Sequence, residues 1–591
     1  MKHPSYYLLA TVLLFAGCSS DTPAGDDNTT FSPLPEANAS LYETDQVFTD
    51  VTAMTVKNSY GAYVTSQCYT KTEESDGNVH NPCFTCHVNS VEPNYIDDAA
   101  LQESYAFSEA TYKNPWSNLF VDRTDAVAAV SDAAILAYVR GDNYFDANGS
   151  IMLGEILKHV PDAWDYNHDG QWGGFVPDCY FAFDGEGFDR DPGGDYTGWR
   201  AFAYYPFPGT FWPTNGSTDD VLIRLPEVMR QNKEGVFDKE VYKLNLAIVE
   251  ALIKRSDIAI EPVDEKVYVV DLNQNGTLDN TSKVVYRWAA PSYDFETKRF
   301  YNYAMYYVGR AQNAQIDNAL HMAPGLYPEQ TEFLHTVRYL DVDANGSVGM
   351  APRMKELRYG RKSAWNTYPQ LSNAAQAEIK DKDAFPNRLR TITGNEETGL
   401  NTGLGWVYQG FIEDKEGYLR PQSYEETLFC IGCHSGIGAV VDSTFVFPRK
   451  FDGGAKQRGW YHWTQSDSGF QEIKEPVLAD GRYEYTLYLE ANHAGDEFRG
   501  NDEVTARFFD GNGSLIPSEI EALHSDISRL IVPSKARAMM LNKAYRVIVE
   551  EQGYIYGRDA HVAPAANVHQ QVAVDTPTGI KAVTMERYPL Q

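Results

Sequence analysis

Two pentads constrain this 591-residue chain more than any other feature: Cys83-Phe-Thr-Cys86-His87 and Cys430-Ile-Gly-Cys433-His434. At this chain's Cys and His frequencies, one C-x-x-C-H string arises by chance roughly 0.002 times. The spacing fits one chemistry closely. Two thiols two residues apart can add to the two vinyl groups on one edge of a porphyrin. The histidine that follows then lies under the iron as its proximal ligand. The expectation is two covalently attached haem c groups, one on Cys83 and Cys86 and one on Cys430 and Cys433, with His87 and His434 as metal ligands. Two other readings compete. A redox C-x-x-C pair needs no histidine. A zinc site would join four cysteines that lie far apart in the chain, and it leaves the matching histidines unexplained.

The N-terminus bears on the compartment. Lys2 and His3 precede an apolar run over 6–17, too short to span a bilayer and of signal-peptide length. Leu14-Phe15-Ala16-Gly17-Cys18 resembles a bacterial lipobox, which implies a lipoprotein signal peptide over 1–18 and a lipid on Cys18 as the first residue of the mature chain. Ordinary cleavage nearby is the alternative. Residues 19–45, rich in Ser, Thr, Asp, Asn, Gly and Pro, read as a flexible tether. No later segment is apolar and long enough to span a membrane, so the chain is expected to be exported and held by lipid. Ser19 after the cysteine suggests the outer membrane, by resemblance to the lipoprotein sorting rule.

A net charge of −32 argues against nucleic-acid partners and suits a basic partner protein. Cys68 and Cys179 remain after the pentads and Cys18, and in an oxidising compartment a disulfide between them is the simplest expectation.

Helical spacing of apolar residues appears over 131–139, 154–160, 241–254, 518–530 and 534–552. A hairpin of 266–272 with 283–288 and a strand over 483–490 are expected. Residues 170–220, dense in Gly, Pro, Asp and aromatics, read as irregular loops. The string 144–151 is echoed at 508–515, which marks either two related modules or two similar turns. A division follows: a first haem-binding region over 46–165, a mixed α/β region with acidic loops over 166–419, and a second haem-binding region with C-terminal helices over 420–591.

Asp271-Leu-Asn273-Gln-Asn275-Gly276-Thr-Leu-Asp279 carries the first half of a calcium-loop pattern, with Ser282 where a bidentate Glu would stand. Asp341 to Gly346 and Asp165 to Gly170 repeat its beginning. Calcium or a tight turn would each account for them.

On its pentads the chain resembles the broad c-type cytochrome group. The two well-separated sites in a large exported chain are also similar to the dihaem peroxidase and rubber-oxygenase superfamily. The first resemblance implies a mainly α fold with long irregular loops and minor β, in which cytochrome c-like haem-binding regions flank a large mixed insertion. It also implies electron transfer to a basic redox partner at the bacterial envelope. The second implies a dihaem oxidoreductase, peroxidase- or oxygenase-like, with one open iron. No catalytic residue is identifiable. Distal-ligand candidates are Met152 and His159 after the first pentad and His462, His493, His524 and Met539 after the second, with Trp460 and Trp463 as possible relays for electrons.

Overall fold

Strands whose inward positions alternate apolar and charged residues build the sheet that organises this molecule. The computed structural model describes residues 64–584 apart from 74–76, 78, 211, 452–453, 455, 466–468 and 494–499. The leader, Cys18 and the tether lie outside the described residues. Nine strands form one antiparallel sheet: β1 (Phe188–Arg190), β2 (Tyr196–Ala201), β3 (Thr218–Arg224), β4 (Glu332–Val342), β5 (Val348–Lys362), β6 (Thr393–Asn395), β7 (Gly399–Asn401), β8 (Trp406–Glu413) and β9 (Leu419–Pro421). Their order is β6-β7-β8-β5-β4-β3-β2-β1, with β9 paired to the end of β8.

The long hairpin of β4 and β5 is the centre of this sheet. Its turn is the acidic loop Asp341 to Gly346: Asp343 accepts the amides of Asn345 and Ser347, both at 2.8 Å, and Gly346 takes φ +89°. A positive φ there favours glycine. Successive side chains on each strand face opposite ways. Leu222, Leu334, Leu357 and Phe411 pack on one side with Tyr144, Leu153 and Phe175. Ile223, Phe333, Trp406 and Tyr408 pack on the other, with helix 239–254.

Four helices matter for the site: α1 (Asp132–Arg140), α2 (Lys239–Lys254), α3 (Tyr424–Cys433) and α4 (Lys535–Glu551). α2 starts where Asp238 accepts the amides of Glu240 and Val241, and stops where Arg255 turns left-handed at φ +53°. Such a cap stabilises a helix by about 1 kcal/mol. α1 and α4 pack together against Tyr339, Leu340 and Ala351 of the hairpin.

The expectation of a mainly α chain with cytochrome c-like regions around an insertion is corrected by this sheet, which runs from residue 188 to 421. Periodicity hid it because β5 buries charges: Lys355, Glu356 and Lys362 are all inside. Each is paired there, Lys355 with the Gly216 carbonyl at 2.7 Å, Glu356 with Arg558 at 2.8 Å and Lys362 with Asp442 at 2.5 Å. Buried charge is tolerated only with such partners.

Other corrections are local. The expected hairpin instead pairs Ile258–Asp264 with Asn280–Val284, around one helical turn at Glu265–Tyr268. The expected strand over 483–490 is a helix, Glu484–Asn492, whose buried Tyr485, Tyr488 and Leu489 fall at helical spacing. The region read as irregular contains β1, β2 and the start of β3. The helix expected over 518–530 is two elements, Pro517–Ser525 and Ser528–Ile531. The echoed strings are two similar turns, in which Asp146 accepts the amides of Asn148 and Ser150 and Asp510 those of Asn512 and Ser514.

Candidate functional site

Each pentad is one helical turn, and that turn is what gathers its three reactive side chains. The amide of His87 donates to the Cys83 carbonyl at 3.0 Å, and that of His434 to the Cys430 carbonyl at 2.9 Å. Residues three and four apart then share a face, which places the two cysteines and the histidine of each pentad on one side of its turn. The first pentad forms a short 3₁₀ turn, Pro82–Thr85, capped by Asn81. Buried Asn81 accepts from the Cys83 amide at 3.0 Å and thiol at 2.6 Å, and donates to the Thr70 carbonyl and Tyr105 hydroxyl. The second pentad closes α3, which begins in a capping box of Ser423 and Glu426.

The two pentads meet. The amide of Ala439 donates to the Cys86 carbonyl at 3.0 Å. Asn94 donates to the Ile437 carbonyl at 2.8 Å. Asp98, buried, takes the Gly438 amide at 3.1 Å on one oxygen and sits 2.8 Å from His87 Nδ1 with the other. Gly438 has no room for more: a Cβ there would lie 1.8 Å from the Val88 carbonyl oxygen. No sequence signal marked Asp98 or Gly438, which lie outside the pentads and carry no motif of their own.

At His434, Nδ1 faces the Ser443 carbonyl at 3.0 Å, and the ring lies 4.5 Å from that of Tyr408. Burial holds His434 down at about 4, so it is a neutral imidazole at neutral pH. Burial also pushes the four pentad thiols up, Cys433 to about 12. They are neutral thiols rather than the low-pKa thiolates of a disulfide-exchange site.

A family model described as "-like lipoprotein" matches residues 51–527. An "Uncharacterized lipoprotein" of Aquifex aeolicus (strain VF5) is 32% identical over 537 residues, 83% of this chain and 84% of its own length. The chain belongs to this lipoprotein family. No solved structure matches it.

The resemblance to the c-type cytochrome group, and the weaker one to the dihaem peroxidase and rubber-oxygenase superfamily, is corrected by these matches. It rested on ten residues in two pentads, whereas the lipoprotein match spans most of the chain and names no cytochrome. Among the described residues, no group of three or more His, Cys, Asp or Glu is arranged to hold a metal ion. As a lipoprotein the chain is membrane-associated through lipid. No described helix is long and apolar enough to cross a membrane.

In the lipoprotein the other candidate ligands are placed as follows. His462 is buried against Asp220, with Thr464 on its Nδ1 at 2.7 Å. His524 lies 2.7 Å from Glu475 and stacks on Tyr483. His493 follows helix Glu484–Asn492, which packs on the first pentad rather than the second, and its ring is 6.1 Å from that of His80. Met539 is buried in α4, Met152 begins the helix Met152–Leu157, and His159 is exposed. His335, 2.7 Å from Asp219, bears electrostatically on His434 and was not anticipated. Trp460 packs in the core beside Phe447, and Trp463 beside Phe451.

The disulfide expected between Cys68 and Cys179 is absent, and both are free thiols. Cys179 is buried under the sheet with Tyr144, whereas Cys68 packs against a separate cluster that includes Tyr69, Tyr105 and Trp116. In the first acidic loop Asp271 accepts the amides of Asn275 at 3.1 Å and Gly276 at 2.8 Å. Asp165 holds Asp169 and Gly170 in the same way. These carboxylates shape the turns.

Proposed function

We propose that the two pentads of this lipoprotein attach two haem groups within one joined redox site, which passes electrons at the bacterial outer membrane. The observation that carries this reading is the matched commitment of the two histidines. Each has Nδ1 engaged, by a carboxylate at His87 and by a carbonyl at His434. That fixes the tautomer with the proton on Nδ1 and leaves Nε2 as the nitrogen that would ligate a haem iron. The donor set fits the group: four unbridged thiols and two imidazoles, each trio on one helical turn.

When bound, haem supplies one-electron chemistry. The chain's own work is attachment and orientation. Cys83, Cys86, Cys430 and Cys433 would hold the haems, each thiol adding across a vinyl double bond. Its sulfur bonds one carbon and its proton passes to the other, so no oxidant is consumed. Asn81 holds Cys83 in place for that addition. The net charge of −32 favours a basic redox partner.

The test is the lipoprotein produced with haem-attachment machinery, followed by intact mass and haem quantification. Two haems per chain, lost pairwise in Cys83→Ala/Cys86→Ala and Cys430→Ala/Cys433→Ala variants, are expected. No covalent haem with all four pentad thiols still reactive would end the reading. A second reading is an oxidoreductase using peroxide or oxygen at one open iron; His462, one distal-ligand candidate, is paired with Asp220. Low-temperature EPR separates the two: low-spin signals from both irons support transfer alone, and a cyanide-sensitive high-spin signal supports the second.

A further inference from the structure

We propose that Asp98 sets the two haem sites apart in reduction potential, making the site at His87 the lower of the two. The inference rests on the haem reading above. The two histidines differ in what holds Nδ1. At His87 it is a buried carboxylate at 2.8 Å; at His434 it is the neutral carbonyl of Ser443 at 3.0 Å. A carboxylate draws the Nδ1 proton more strongly than a carbonyl does. It leaves Nε2 the richer donor, which favours the ferric over the ferrous state.

The charges beside the second pentad act in the opposite sense. Arg358 and Arg558 both bear on Cys430. Glu356 lies between them, 2.9 Å from Arg358 and 2.8 Å from Arg558, and leaves one positive charge in excess. Positive charge beside a redox centre favours its reduced form. Asp98 is also fixed where it stands. Its second oxygen holds the Gly438 amide at 3.1 Å, so the carboxylate that tunes His87 is anchored on the segment that follows His434.

Haem content is measured first on the full-length protein, because absence of haem there ends the earlier reading before this one is addressed. Spectroelectrochemical titration of the two-haem protein then gives two midpoints. Asp98→Asn keeps the shape of the side chain and removes its charge. It should shift the lower midpoint upward by at least tenfold in the reduction equilibrium, about 59 mV for one electron, and leave the upper one in place. Asp97→Asn makes the same charge change at the exposed neighbouring position and should move neither. The proposal is overturned if both midpoints stay put in Asp98→Asn, or if Asp97→Asn shifts them equally. Should Asp98→Asn not fold, the native protein still decides: two coincident midpoints overturn the proposal. A lower midpoint that persists when Cys430→Ala/Cys433→Ala removes the second haem upholds it.

Discussion

The amide of Gly438 donates to the carboxylate of Asp98 at 3.1 Å, across 340 residues of chain. That contact closes the two pentads onto each other, and it requires glycine for reasons of space. Gly438→Ala would drive a methyl into the Val88 carbonyl and the Asp98 carboxylate. Overpacking of this kind costs about 1–3 kcal/mol. Urea unfolding should show at least that loss, while Gly511→Ala, where nothing lies within 4 Å, should stay close to native.

Asn81 predicts a second local effect. Asn81→Leu removes the partner of the Cys83 amide and thiol and leaves the buried Tyr105 hydroxyl and Thr70 carbonyl only each other, at 3.3 Å. The expected loss is about 1–3 kcal/mol per stranded group. If the pentads hold haem as proposed, attachment should fall at the first pentad and not the second, which peptide mass mapping reads directly.

Acid stability has an identifiable contributor in Glu356. Burial alone would raise its carboxyl, but Arg358 and Arg558 overcome burial and hold it at about 2, below its ordinary 4.5. A carboxyl depressed by folding gives stability that is complete above the unfolded value and lost as pH falls through the folded one. The contribution is about 3 kcal/mol, present above pH 4.5 and fading toward pH 2. Glu356→Gln should therefore be less stable than the native chain at pH 6, with the gap narrowing at pH 2.5 in matched denaturant titrations.

Reductant should leave the melting temperature unchanged, because Cys68 and Cys179 sit in separate clusters. A disulfide closing that loop would have contributed about 4 kcal/mol. A Cys68→Ser/Cys179→Ser variant that loses reductant sensitivity shown by the native chain would contradict this arrangement.

Much of the helical structure was legible. The run over 241–254 has apolar residues at helical spacing and emerges as α2. The sheet was not legible, because β5 places Lys355, Glu356 and Lys362 inside, where a strand pattern expects apolar residues. The partners that make this tolerable, such as Asp442 and Arg558, come from distant parts of the chain. Asp98 was invisible for the same reason. A carboxylate eleven residues after His87 has no local signature, and its role exists only once the segment after His434 arrives beside it. The family assignment failed differently: ten informative residues described a chemistry, and a chemistry recurs across unrelated folds.

Cys430 is buried at the end of α3 under the finished sheet. A thiol in that position cannot be reached by another macromolecule, so whatever is joined to it must be joined before the sheet closes. Synthesis runs from the first pentad to the second, and the docking of Gly438 against Asp98 can come only after both have emerged. Access to Cys430 in this lipoprotein is thus a matter of timing, and it ends when the two distant segments meet.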